Sequence, residues 1–588
     1  VVGPVRTRTE VVSELTAPGQ AFEVVVVQTD RGPQRRFRNA PASLAEVVAE
    51  ARSEAEYYVY GNERRTFEET HQRSMALAHA LVADFGVRPG DRVAISMRNR
   101  PEWIVGLAAA SAAGAVAVAL NSMWSTEEFH HGLRDSGAAV LLADGERVTQ
   151  LAGLGGSVPV VLAVDADDVE LRRVPGDVFD LLAILDQAGQ GSPEQMLRPP
   201  VEAGSEDPAT IFYTSGSTGL PKGVLSNHRQ VVHALLSWEL DTLVAATLAG
   251  AVRPADDQGG PSRPRRQTSS LLAVPLFHVT GCHAVALLAF RAQRRIVAMP
   301  RWDAAEAARL IESERIDAFV ATPAMVADLL AEASTSGRDL SSLRLVGGGG
   351  APRPPEQVRR ISSSFDRAAP NNGWGMTETN AIGAGVTGVD YVARPEVSGR
   401  PSVVLDLRVV DESGAALEPG EPGELQVRGS SVFTEYWGHP EATAAAFVDG
   451  WFRTGDVAVI DADGFVTIVD RIKDLIIRGG ENIGCGQVEA ALTEHPLVRE
   501  VAVYGVPDER LGEEVGATVY GPAGLDPEEL QEFLVGRVAR FAIPQYLTVT
   551  MTPLARTATG KIFKRQVRAE ALADLRAAGL LGSSNPNA

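Results

Sequence analysis

Lysine is almost missing from this 588-residue chain. Of 55 Lys plus Arg residues only Lys222, Lys473, Lys561 and Lys564 are lysine, and the other 51 are arginine. A chain that uses arginine for generic positive charge keeps a lysine where a compact ammonium on a flexible stem is needed, not a planar fork. Cysteine is also scarce. Cys282 and Cys485 lie far apart, which excludes a disulfide framework or a cysteine metal cluster and fits a reducing compartment. Positive charge is in deficit, with a formal net charge of −20, so a nucleic-acid partner, which needs a basic footprint, is excluded. The same field repels free acids and nucleotides, and a site for either must bring its own cations.

Long apolar runs are few. The longest, "WIVGLAAASAAGAVAVAL" at 103–120, approaches a membrane span in length but is dominated by Ala and Gly and ends at Asn121. It reads as a helix, a turn at Gly114 and a buried strand, and no transmembrane segment is expected. No charged–apolar–small leader opens the chain, which starts at Val1 and reads as trimmed, with the cytoplasm as the expected location.

What is present is a globular composition, 45% hydrophobic and 22% charged, at a length that predicts two or three domains. From Ser43 to about Asp144, helical patterns alternate with short Val/Ala/Ile strands such as "RVAIS", "AVAVAL" and "AVLLAD". The texture resumes at "SSLLAVPLFH", "IDAFVATPAM" and "LSSLRLVGGGGAP". Such alternation predicts layered, parallel α/β structure. A Gly/Pro/Arg-rich insertion between Leu243 and Ser270 reads as a surface loop. After Gly399 short strands and turns predict a small β-rich subdomain. From Arg471 a compact α+β unit follows, with a tail from about Ala569. The expected domains are 1–470 and 471–588.

The stretch "IFYTSGSTGLPKGVLSNH", 211–228, places a strand before a loop of small residues. Its glycines can turn backbone N–H groups toward an anion, the hydroxyls add donors, and Lys222 can neutralise phosphate. The spacing is not G-x-x-x-x-G-K-[ST], so the triphosphate loop of kinases and motors is disfavoured. Taken alone, the stretch reads either as a phosphate cradle or as a flexible linker.

Taken whole, it resembles the phosphate loop of the adenylate-forming superfamily, which includes acyl- and aryl-CoA synthetases. Further segments match that family in its order, from about Ser43 to Arg565: "VPLFHVTG" as gate, "GGGGAP" and "NNGWGMTET" as adenine-binding strands, "GWFRTGD" as ribose motif, "DRIKDLIIRGGENI" as hinge and "RTATGKIFKR" as the catalytic-lysine loop. The resemblance implies that Thr214, Ser215, Gly216, Ser217, Thr218, Gly219 and Lys222 bind phosphates. It implies that Gly350, Ala351, Pro352, Asn372, Gly373, Trp374 and Gly375 surround adenine. Many relatives carry Tyr where Trp374 stands; the change keeps the ring and loses the phenol. Thr377 would donate to the α-phosphate and Glu378 would hold Mg²⁺ through a hard carboxylate oxygen. Asp456 would accept the ribose hydroxyls, with Arg471 as a further donor. Lys561 would stabilise the charge that develops as carboxylate meets phosphorus, while Lys564 reads as an exposed loop lysine.

His278 reads either as a satisfied structural histidine or, through the resemblance, as a gate beside the acyl carboxylate. The resemblance places the acyl pocket at Val279, Thr280, Gly281 and Cys282, with spare room beside Gly281. It makes Lys473 the hinge and puts Gly480 on the thiol channel. The glycines of "GCGQVE", 484–489, depart from the family and are expected to loosen that approach. The implied fold is a large N-terminal domain of layered α/β subdomains with a β-rich subdomain, followed by a small mobile α+β domain. The implied activity is a carboxylic acid–CoA ligase using ATP, Mg²⁺ and coenzyme A. A medium- or long-chain fatty acid is the favoured substrate; an aryl acid, or a carrier protein or amine as acceptor, is the alternative. A homodimer is compatible with the sequence.

Overall fold

A computed structural model describes residues 6–152, 154, 160–167, 174, 176–186, 194–214, 220–248, 266–351, 353–479, 481–557 and 560–581. Two large sheets form the N-terminal part. The eight-stranded sheet runs in the spatial order 435–436, 222–227, 208–214, 116–119, 92–96, 140–144, 160–164, 178–180. The nine-stranded sheet runs 400–401, 383–387, 369–375, 345–349, 318–320, 269–272, 295–298, 56–60, 63–66. Their central strands are parallel, as expected of strands joined by helical crossovers and buried on both faces.

The longest apolar run shows how sequence becomes layer. Pro101 opens a helix at Pro101–Ala112, every residue of which is buried. Gly114 turns the chain at φ +69, and Val116–Ala119 follows as a fully buried strand. This helix, Phe67–Ala83 and the start of His228–Leu248 fill the space between the two sheets in one shared core. Helices Ala304–Glu314 and Pro323–Thr335 cover the outer face of the nine-stranded sheet, and Thr126–Ser136 covers that of the eight-stranded sheet. Among the described residues one helix, His228–Leu248, is long and apolar enough to cross a membrane; Val231, Val232, Ala234 and Leu235 on it are buried in the core.

An antiparallel sheet of strands 405–410, 423–429, 447–448, 451–460 and 466–471 follows. After the short turn Ile472–Asp474 the chain enters a separate five-stranded sheet with its own core. Two sequence expectations change. The tail expected from Ala569 lies inside the helix Lys564–Ala577, because Val567 and Leu572 pack against Ala502, Tyr504 and Val506. The insertion expected from Leu243 starts later, since the core helix continues to Leu248; 249–265 lie outside the described residues.

Candidate active site

Parallel strands deliver their C-terminal ends to one region, where ligands bind in open α/β sheets. Thr214 ends strand Pro208–Thr214 and Lys222 begins Lys222–Asn227; the two face each other across an antiparallel pair. They therefore hold the two ends of one hairpin. Its residues Ser215, Gly216, Ser217, Thr218 and Gly219 lie outside the described residues, as do Pro352 and Gly480.

Three side chains of the segments expected to form the ribose motif are linked to one another. Asp456 is buried, accepts from the Trp374 indole Nε1 at 2.8 Å through Oδ2, and pairs with Arg471 Nε at 3.0 Å through Oδ1. Burial pushes its carboxyl above the usual range while Arg471 opposes that rise. The indole N–H is thus a donor to the Asp456 carboxylate. Asn372 gives its amide N–H to the Val397 carbonyl at 3.3 Å, and Gly373 and Gly375 continue the same strand.

A 3-10 turn, Thr377–Thr379, carries the residues expected at the phosphates. It is held by Asn380, whose Nδ2 donates to Ser226 Oγ at 3.1 Å and to the Ser431 carbonyl at 2.9 Å. Asn380 and the next residue, Ala381, adopt left-handed φ values of +57 and +66. Strain of this kind persists only where surrounding contacts over-determine it. Glu378 is buried, and that burial raises its carboxyl above the ordinary carboxylate range. Tyr436 OH donates to Glu378 Oε1 at 2.9 Å, and Lys222 Nζ lies 5.7 Å from the centre of the Tyr436 ring. Tyr436 was missed in the sequence, where "TEYWGHPE" carries no chemical signature beyond an aromatic residue in a polar turn.

Lys561 comes from the C-terminal part of the chain and reaches this cleft. A Cβ on Gly350 would stand 3.3 Å from Lys561 Cε and 3.4 Å from Nζ, and Gly350 itself has φ +89. A side chain there would crowd the lysine by a few tenths of an ångström and would have to adopt a left-handed φ that glycine takes freely. Burial, with Arg471 adding like charge, lowers the ammonium to about 8, and Asp456 works against that shift. The lysine's neighbour Gly560 packs toward Met325 and Thr322 of the nine-stranded-sheet side.

His278 faces the same charge. Burial first, then the nearby Lys561 ammonium, lowers its ring to about 3, so it is neutral. Its Nε2 is buried without a hydrogen-bond partner among the described residues, and the ring packs on Phe277 at 4.6 Å. The next residues form a π-helix, Thr280–Leu287, a wide-turn geometry concentrated at functional sites. Val279 and Cys282 are buried in the shared core and Thr280 is half-buried. The room expected beside Gly281 is absent, because a Cβ there would meet the Pro275 and Val274 carbonyl oxygens at 2.3 and 2.7 Å. Gly281 serves close backbone packing.

Around Lys473, the expected hinge, two further expectations change. Lys564 is not an exposed loop lysine: its Nζ pairs with Glu489 at 2.6 Å, which raises its ammonium above the ordinary lysine range. The glycine-containing segment 484–489 is not loosened either. It starts the helix Cys485–Thr493, tied by Gly486 N–H to Asp470 Oδ2 at 3.2 Å and by Cys485 Sγ to the Asp474 carbonyl at 3.1 Å. Lys473 lies exposed in the turn between the third sheet and the C-terminal sheet.

Comparison with known proteins bears on the family and the fold. The family model for the AMP-binding enzyme matches residues 45–437, and that for the AMP-binding enzyme C-terminal domain matches 487–561. The chain is 37% identical over 542 residues to a feruloyl-CoA synthase of an Amycolatopsis species, covering 91% of this chain and 97% of that protein. It is 32% identical over 506 residues to the long-chain-fatty-acid–CoA ligase FadD13 of Mycobacterium tuberculosis, covering 86% and 93%. Among solved structures it resembles the amide bond synthetase McbA of Marinactinospora thermotolerans, with a TM-score of 0.74, 27% identity and coverage of 90% and 99%.

Proposed function

The chain belongs to the AMP-binding enzyme family, and from that premise we propose that it is an AMP-forming acid–thiol ligase. It joins a carboxylic acid to ATP as an acyl-adenylate and then passes the acyl group to coenzyme A. The observation that carries this reading is Lys561, delivered by the C-terminal part of the chain to Gly350, beside the Asp456–Arg471 pair and His278.

In the first step a carboxylate oxygen bonds to the α-phosphorus and the bond to the pyrophosphate oxygen breaks. Catalysis is then mainly positioning and charge neutralisation. Lys561 meets the attacking carboxylate and α-phosphate, and Thr377 donates to the latter. Thr214, Ser215, Gly216, Ser217, Thr218, Gly219 and Lys222 hold the leaving phosphates. Asp456 and Arg471 take the ribose, and Trp374, Asn372, Gly373, Gly375 and the segment 350–352 border adenine. The buried Glu378 carboxylate, a hard oxygen ligand, would hold Mg²⁺, which would supply charge neutralisation. Among the described residues no group of three or more His, Cys, Asp or Glu is placed to hold a metal ion.

In the second step the thiol attacks the carbonyl and AMP leaves, which requires Lys561 to withdraw. The division between the third sheet and the C-terminal sheet supports a domain boundary at 470/471, with Lys473 as pivot and Gly480 on the thiol channel. A neutral His278 acts as gate through its shape.

For the acid, the uncharged segment Val279, Thr280 and Cys282 supports a medium- or long-chain alkyl acid. An aryl acid is the second reading, favoured by the feruloyl-CoA synthase relative; the amide bond synthetase neighbour keeps an amine acceptor as the alternative to CoA. A cytoplasmic setting and a homodimer belong to the same proposal. A panel of straight-chain and aromatic acids, read by CoA-dependent AMP formation, tests it. AMP formation that ignores CoA but responds to an amine or a carrier protein would overturn the choice of acceptor. A preference for aromatic acids over every alkyl acid would overturn the choice of substrate.

A further inference from the structure

Glu378 is held at both ends by one short segment. Its backbone carbonyl accepts from Phe433 N–H at 2.8 Å, and its carboxylate Oε1 accepts from Tyr436 OH at 2.9 Å. Tyr436 is in turn fixed from several directions. The strand Glu435–Tyr436 pairs antiparallel with Lys222–Asn227, setting Val224 opposite Tyr436, and Trp437 N–H donates to the Gly223 carbonyl at 2.8 Å. The Tyr436 N–H donates to Thr443 Oγ1 at 2.9 Å, and its ring packs against Phe433 at 4.8 Å. The strand that begins with Lys222 is therefore the strand that Tyr436 extends. The ring lies within cation–π range of the Lys222 ammonium, at 5.7 Å.

We propose that Tyr436 is a positioning residue with two separable duties: its hydroxyl aims the Glu378 carboxylate for Mg²⁺, and its ring stations Lys222 for the phosphates of ATP. Hydroxyl and ring act on different partners from one rigid side chain, which couples the metal-holding carboxylate to the phosphate-loop cation. A hydrogen bond from a buried phenol fixes one carboxylate oxygen and with it the direction of the other. A ring face lowers the freedom of a flexible lysine stem without pairing its charge, so the ammonium stays available to an anion. This inference rests on the reading of the site as one for ATP and Mg²⁺.

The two duties separate by substitution. Tyr436→Phe removes the hydroxyl and keeps the ring; Tyr436→Leu removes both. ATP binding to the full chain is measured by titration calorimetry, in EDTA and at graded Mg²⁺ concentrations, without acid or CoA, so no turnover is involved. In Tyr436→Phe the gain in ATP affinity on adding Mg²⁺ should fall about tenfold, the scale of losing a hydrogen bond to a charged group, with affinity in EDTA unchanged. Tyr436→Leu should show the same loss and, in EDTA, a further weakening of about threefold, the scale of an exposed cation–π contact. Combining Tyr436→Phe with Glu378→Gln should add nothing to Glu378→Gln alone. A Tyr436→Phe protein with wild-type Mg²⁺ dependence overturns the hydroxyl's duty, and Phe and Leu variants that behave alike in EDTA overturn the ring's. Wild-type protein that binds no ATP would instead sink the adenylation reading itself.

Discussion

Lys561 and Lys564 stand three residues apart, yet their surroundings treat the same ammonium in opposite ways. Lys561 is brought against Gly350 with Arg471 nearby, and loss of solvent lowers its ammonium to about 8. Lys564 begins the next helix and is held by Glu489, which raises its ammonium. The first environment keeps a charge poorly satisfied until an anion arrives; the second satisfies it permanently. A poorly satisfied buried charge suits chemistry on a negatively charged substrate, and a permanently paired one suits structure. The contrast also explains why a chain of 51 arginines keeps both: neither place has use for a five-donor planar fork.

Replacing each lysine breaks the comparison most directly. Lys561→Ala should cut acyl-adenylate formation by about two decades or more, the scale of losing a stabiliser of developing charge. Transfer of a supplied acyl-adenylate to CoA should be far less affected; equal loss in both half-reactions would remove the assigned role. Lys564→Ala should do the reverse, leaving adenylation by folded protein within about twofold while lowering stability. The expected loss, read by urea unfolding of the C-terminal part, is about 2 kcal/mol, below the figure for a fully buried pair because the Lys564 side chain is 32% exposed.

Smaller changes sharpen it. Gly350→Ala places a methyl 3.3 Å from the Lys561 stem at a residue with φ +89, and adenylation should fall about tenfold with little change in thiol transfer, the scale of modest local misplacement. The mildest probe is pH. With Lys561 working as the ammonium, as proposed, the active form in the free enzyme is lost as pH rises through about 8. The kcat/KM for ATP in adenylation should therefore drop about threefold between about pH 7.5 and about pH 8.5. The limb should be absent from thiol transfer and from Lys561→Ala. Bound phosphates favour the ammonium, so the limb in kcat should lie at higher pH.

Much of this architecture was legible in the chain itself. The run 103–120 resolved as helix, turn and strand because its Gly and Pro punctuation is local. The candidate site segments stand out in the sequence because each is a short local run of glycines, hydroxyls or a single charge. What escaped depends on distant pairing. Tyr436 acquires its place from the register with Val224, and the Glu489 partner of Lys564 lies 75 residues earlier in the chain. Gly281 misled for a related reason: sequence gives the absence of a side chain but not what fills the place, which here is the backbone of Val274 and Pro275. The helix Lys564–Ala577 was hidden because its charged residues mask a narrow apolar stripe, of which only Val567 and Leu572 are buried.

The Asp456 carboxylate has a further consequence. Trp374 takes one of its oxygens and Arg471 the other, so the lone pairs left for a nucleotide point in directions settled before it enters. With Asp456 as the ribose acceptor, such a site works as a sugar filter: a 2′-deoxynucleotide would leave one buried acceptor without its donor. An unanswered buried polar group costs more than its hydrogen bond is worth when made. Discrimination between ribonucleotide and deoxyribonucleotide would then come from how rigidly two protein donors hold a carboxylate, with no steric gate against the missing oxygen.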